Sequence, residues 1–174
     1  TRDRAWERTG ITPTMRSGRY DQRSTLVVIV GSSDSSIVRI ARRLEERLFE
    51  RGRFVYYLGL SNALLGLHAD VDIGRERDEF IRRLGEIAHL FTDAGTILIT
   101  TVPDVDEYEL STIAALNRPG EMLVVNVGEA ADKREPVGNA QTDLRLPAGV
   151  EPEEAVERIT ATLARTNVLI EYNL

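Results

Sequence analysis

At 174 residues the chain is long enough to bury one well-formed core, and it contains no cysteine, which excludes disulfides, thiolate metal sites and cysteine nucleophiles. A net charge of −6 and a pI near 5.1 argue against a dedicated nucleic-acid binder, which needs a surplus of arginine and lysine on one face. No apolar run approaches the about 20 residues that span a bilayer, and the charged first residues are unlike a signal peptide, so a cytoplasmic protein without membrane or nucleic-acid partners is expected.

Charge is unevenly spread. Residues 1–23 carry Arg2, Arg4, Arg8, Arg16, Arg19 and Arg23 against Asp3, Glu7 and Asp21, so residues 1–24 are expected to form a basic arm or linker against an acidic body or a neighbouring domain. The first residue is Thr1 rather than methionine, which is read as a piece of a longer protein.

From Thr25 onward, short apolar runs alternate with segments of helical period. This pattern predicts a three-layer α/β/α domain with a mostly parallel five-stranded sheet. Leu26–Val30 reads as a strand buried on both faces. After Gly31 and a serine cluster comes a helix with Ile37, Ile40, Ala41, Leu44 and Leu48 on one face, ending near Gly52. Phe54–Leu58 is a second strand, and residues 59–74 read as a loop or short helix. A helix within residues 76–94 carries the stripe Phe80, Ile81, Leu84, Ile87, Ala88 and Phe91. Ile97–Thr101, Glu107–Leu116 and Met122–Val127 follow as strand, helix and strand, with a polar loop over residues 128–142. Leu144–Leu146 is a short fifth strand, and Pro152 opens a last helix. The apolar tail, residues 167–174, must dock on its own domain or on another chain.

The turn after the first strand is where a phosphate would sit, because backbone N–H groups and the helix dipole converge there. A working phosphate loop reads G-x-x-x-x-G-K-[ST]. This chain reads Gly31, Ser32, Ser33, Asp34, Ser35, Ser36, Ile37 and Val38, so serine replaces the second glycine, isoleucine the lysine and valine the metal-binding hydroxyl. Asp34 adds a carboxylate where an anion would have to bind. The turn reads as a serine-rich helix cap, with an amide and hydroxyl nest for phosphate or sulfate as the competing reading.

Residues 25–166 resemble adenylylsulfate (APS) kinase, the P-loop enzyme that phosphorylates adenosine 5′-phosphosulfate. Ile40-Ala41-Arg42-Arg43-Leu44-Glu45 is similar to its I-A-x-x-L-E, and Asn62-Ala63-Leu64-Leu65-Gly66-Leu67 falls where the family has N-x-R-x-G-L. The run from Ile81 to Gly95 looks like its I-R-R-V-G-E-V-A-K-L-F-A-D-A-G almost throughout.

The resemblance implies a P-loop NTPase fold, and the departures imply loss of chemistry. Gly59, Leu60, Ser61 and Asn62 stand at the family's D-G-D-N, Leu64 at its substrate arginine, and its S-P-F-R motif is missing between Thr100 and Asp106. The basic lid is reduced to residues 129–142. Asn62 and Arg77 are the retained candidates for ligand contact, and no catalytic residue, metal ligand or cofactor is assigned.

Other constellations are weaker. His68 and His89 read as surface residues without partners at metal-ligand spacing, and Asp70, Asp72, Glu76, Asp78 and Glu79 as a solvated acidic face. Asp104 and Asp106 lie where parallel sheets place ligands and are the carboxylates to test for residual chemistry.

The leading expectation is a non-catalytic APS kinase-like domain, an interaction or regulatory module of a longer sulfate-activation protein, partnered by that protein's other domains or by its own copies. A nucleotide sensor holding an adenylylated ligand through Asn62, Arg77 and the loop amides is the alternative. An active kinase with Arg39 as replacement cation is the third.

Overall fold

The structure, a computed structural model, describes residues 6–32, 35–59, 70, 72, 75–128 and 143–170. Five strands are present: β1 (Thr25–Gly31), β2 (Val55–Leu58), β3 (Ile97–Pro103), β4 (Glu121–Val127) and β5 (Leu144–Leu146). Their order is β2-β3-β1-β4-β5, and every pairing is parallel. Helices α1 (Pro13–Tyr20), α2 (Ser35–Glu50), α3 (Arg77–Asp93), α4 (Glu107–Asn117) and α5 (Pro152–Arg165) complete the described elements. The expected α/β/α architecture is therefore the one observed.

β1 is continuously aliphatic because it is central and covered on both sides. Val27 and Ile29 face one core with α2 and α5, while Leu26, Val28 and Val30 face the other with α3 and α4. The period-2 alternation of the strand thus divides one apolar run between two cores. α2 buries the stripe read from the sequence, Ile37, Ile40, Ala41, Leu44 and Leu48.

Along its exposed face α2 is tied to the start of α5, where Glu153 accepts from Arg43 and, at 2.6 Å, from Arg47. α3 and α4 approach closely at Gly85, where an added Cβ would lie 2.8 Å from the Leu116 Cβ. Gly85, the fifth residue of the family-like run from Ile81 to Gly95, is thereby explained by packing: only glycine fits the crossing.

Part of the N-terminal arm is built into the fold. Thr12 caps α1, its hydroxyl accepting from the Met15 N–H at 3.2 Å, with Pro13 in the first turn. Gln22 is buried, and its amide donates to the carbonyls of Phe54 (2.8 Å) and Gly95 (3.0 Å) while accepting from the Phe54 N–H (3.0 Å). These bonds satisfy backbone groups just before β2 and β3, where the Phe54 carbonyl also accepts from the Ile97 N–H at 2.9 Å.

Gln22 also forms an antiparallel bridge with Leu169, so the start of the apolar tail closes the same edge. Val168 and Leu169 are buried in the core with α5. His89, expected on the surface, is only 7% exposed, because the Trp6 ring sits edge-on against it at 4.4 Å between centroids. A helix-face reading could not anticipate a cover contributed from more than 80 residues away.

Candidate functional site

The C-terminal ends of β1, β3 and β4 meet at Gly31, which is in register with Pro103 and Val127. A Cβ on Gly31 would stand 2.7 Å from the Val127 carbonyl oxygen and 3.0 Å from Ile37 Cγ2, so glycine is required by close approach. Its carbonyl accepts from the Asp104 N–H at 3.0 Å. Asp104 itself has φ 50°, a left-handed conformation that aspartate tolerates better than most residues.

α2 begins at Ser35 immediately beyond this point. Ser32 and Ser35 are exposed, Ser36 is half-buried and Ser33 and Asp34 lie outside the described residues. Ile37, at the position of a loop lysine, is 3% exposed and packs into the α2–α5 core. Val38, at the position of the metal-binding hydroxyl, packs against the same cluster. Magnesium and a triphosphate require a cation and a hydroxyl from these two positions. What stands there is hydrocarbon directed at the core, so the residues present do not fit those groups.

Arg77 opens α3 and reaches the same sheet edge, but its guanidinium is already engaged. It clasps Glu109 with two nitrogens, Nη2 to Oε2 at 3.0 Å and Nε to Oε1, and Nη2 also donates to the carbonyls of Pro103 (3.0 Å) and Asp104 (3.3 Å). Glu109 is buried and serves the capping box of α4, with its Oε2 accepting from the Asp106 N–H at 3.1 Å and its N–H donating to Asp106 Oδ1 at 2.8 Å. The Arg77 hydrogen bond holds the Glu109 carboxyl below its ordinary range, against the opposing effect of burial. Glu109 in turn raises Arg77 above its usual value.

The structure thus brings Gly31, Ile37, Asp104, Asp106 and Arg77 to one edge of the sheet. Glu109 went unnoticed in the sequence, where the only signal was its place three residues after the capping residue Asp106. Asn62 and His68 lie outside the described residues, as does the lid at residues 129–142. Arg39 is exposed one turn into α2.

The acidic face is internally compensated. Arg83 binds Asp70 through two nitrogens at 2.7 and 3.0 Å, and Glu79 pairs with Arg82 and Arg83, which hold its carboxyl down at about 2. Among the described residues no group of three potential metal ligands is assembled.

The profile described as adenylylsulphate kinase matches residues 23–114, more than half of the chain, spanning β1, the loop, Arg77 and most of α4. The chain belongs to the adenylylsulphate kinase family. The adenylyl-sulfate kinase of Vibrio vulnificus is 32% identical over 137 residues, which are 76% of this chain and 66% of that protein. A probable adenylyl-sulfate kinase of Halalkalibacterium halodurans is also 32% identical, with 76% and 68% covered. The chain therefore spans about two thirds of the length of these curated relatives.

Among solved structures, the hexameric APS kinase of Thiobacillus denitrificans superposes with a TM-score of 0.72 at 25% identity, covering 86% of this chain and 30% of that one. An APS kinase of Mycobacterium tuberculosis gives 0.70 at 24% identity, covering 82% and 99%. The fold is the P-loop NTPase-like α/β/α fold of these proteins. Among the described residues no helix is long and apolar enough to cross a membrane.

Proposed function

We propose that this member of the adenylylsulphate kinase family has given up phosphoryl transfer and serves as an interaction module, working in the cytoplasm with its own copies or with other domains of a sulfate-activation protein. The observation that carries the reading is Ile37, whose side chain is part of the core at the position where the reaction needs a cation. Phosphoryl transfer is catalysed by placement and charge stabilisation, and removing one such group typically costs about 3 kcal/mol of barrier. Here the lysine, the metal hydroxyl and the second loop glycine are replaced together. The engagement of Arg77 by Glu109 supports the same reading, because a guanidinium committed to an internal carboxylate offers less to a sulfate or phosphate.

The relatives' names favour a second reading, adenylyl-sulfate kinase activity, and one experiment separates the two. Purified protein is incubated with ATP, magnesium and adenosine 5′-phosphosulfate, and formation of the 3′-phosphorylated product is followed. The expected result is no turnover above a protein-free control. Magnesium-dependent turnover overturns the proposal. Calorimetry with the same ligands covers the sensor alternative: binding no tighter than millimolar is expected, and micromolar binding through Asn62 and Arg77 would replace the interaction role with a sensing one.

A further inference from the structure

α1 is an eight-residue helix that buries none of its residues. A helix this short is marginal in water and is held by what packs on it. Its inner side is held, because Arg16 and the Tyr20 ring lie against Gly95 and that ring meets Phe54 at 5.2 Å between centroids. On its outer side Ile11 and Met15 are 51% and 53% exposed. With Arg19 and the packed Arg16 and Tyr20 they line an open hollow of about 660 Å³, large enough for an aromatic and an aliphatic side chain together. Arg19, one turn beyond Met15, is exposed and forms no ion pair with a described residue.

The chain itself leads a matching segment to this place. The Arg23 N–H donates to the Val168 carbonyl at 2.8 Å, Gln22 bridges Leu169 in antiparallel sense, and the Ile170 N–H donates to the Asp21 carbonyl at 3.3 Å. Arg53 fastens the last rung, Nη1 donating to the Asp21 carbonyl at 2.5 Å and Nη2 to that of Ile170 at 3.5 Å. Antiparallel segments run in opposite senses, so beyond Ile170 the tail heads toward lower residue numbers of the arm. Asp21 is the C-cap of α1, and that direction leads onto the helix. Residues 171–174, outside the described residues, are Glu171-Tyr172-Asn173-Leu174. Extended, they reach about 14 Å. Met15 stands about 9 Å from Asp21 along the helix axis. Tyr172 and Leu174 alternate with polar residues and so share one side of an extended segment, and Glu171 carries the charge that Arg19 complements.

We infer that residues 171–174 dock along the outer side of α1 of their own chain, with Tyr172 and Leu174 in the hollow lined by Ile11 and Met15 and Glu171 beside Arg19. The inference goes beyond the interaction-module reading and does not depend on it. Arm and tail, which flank the family-like region, are closed into one clasp, and a partner that needed the apolar side of α1 would have to open it.

Disulfide trapping in the full chain tests it, since the chain has no cysteine of its own to interfere. The M15C/L174C variant should oxidise to a bond within one chain, read as a monomer of altered mobility on a non-reducing gel. The Y108C/L174C variant should stay reduced, because Tyr108 is exposed but lies in α4, beyond the opposite end of β3 from α1. A bond between two chains in M15C/L174C assigns the hollow to a second copy and overturns the inference. Failure of that pair to oxidise, or equal oxidation of both pairs, overturns it as well. The Y172A/L174A variant gives a second readout that needs no new bond. Amide hydrogen exchange over residues 13–20 should quicken at least tenfold while that of β1 stays as in the wild type, which separates release of the tail from general unfolding. Unchanged exchange over residues 13–20 overturns the inference.

Discussion

Glu109 is a carboxylate held in the protein by one arginine and one backbone N–H, that of Asp106, and its behaviour with pH follows from that. Its folded-state pKa is lowered, so its contribution to stability is complete above the unfolded value of about 4.3 and is lost as pH falls through the lower folded value. Glu109→Gln should therefore flatten the acid limb of the unfolding curve. Arg77→Met leaves the buried carboxylate without its cation and should cost about 3 kcal/mol at neutral pH, measured by urea denaturation. The R77M/E109Q double variant should lose less than the sum of the singles, since the unpaired charge is then gone. Gly31→Ala is a sharper case. Its Cβ would meet a backbone carbonyl at 2.7 Å, and a loss of about 2 kcal/mol is expected from the same measurement.

Among the elements, the α3–α4 crossing tests how far helix propensity yields to packing. Alanine in place of a mid-helix glycine normally gains up to about 1 kcal/mol. At Gly85 the gain should be reversed, because the new methyl would stand 2.8 Å from Leu116 Cβ and 2.9 Å from its Cδ1, forcing the helices apart. Thermal melting of Gly85→Ala should show a lower midpoint, whereas Gly18→Ala on α1, with nothing within 4 Å, should raise or preserve it. Strands and long helices were legible in the sequence because their signals are local: an aliphatic run for β1 and a 3.6-residue stripe for α2. α1 was missed although Thr12 and Pro13 form a recognisable helix start, because the arginines around it read as a solvated arm. The burial of His89 and the Arg77–Glu109 clasp depend on residues 83 and 32 positions apart, and no local pattern encodes them.

At the scale of the molecule, both the missing lysine and the burial of its replacement were legible. Loop spacing puts Ile37 at the lysine position, helical period puts it on the apolar stripe of α2, and in the structure it lies in the α2–α5 interior. Restoring the lysine alone should therefore fail. Ile37→Lys is expected to destabilise the domain by several kcal/mol through burial of a charge, on the order of 3, without producing turnover in the kinase assay. A stable, active I37K would show that the position can still be turned outward.

The chain has a single tryptophan, and it is Trp6, seated on His89 outside both cores. Tryptophan emission is thus an optical report on the arm alone, while circular dichroism reports on the helices of the body. If the arm detaches before the sheet melts, the two signals will trace separate transitions in one denaturation experiment, and the gap between their midpoints will measure how firmly the arm is fastened.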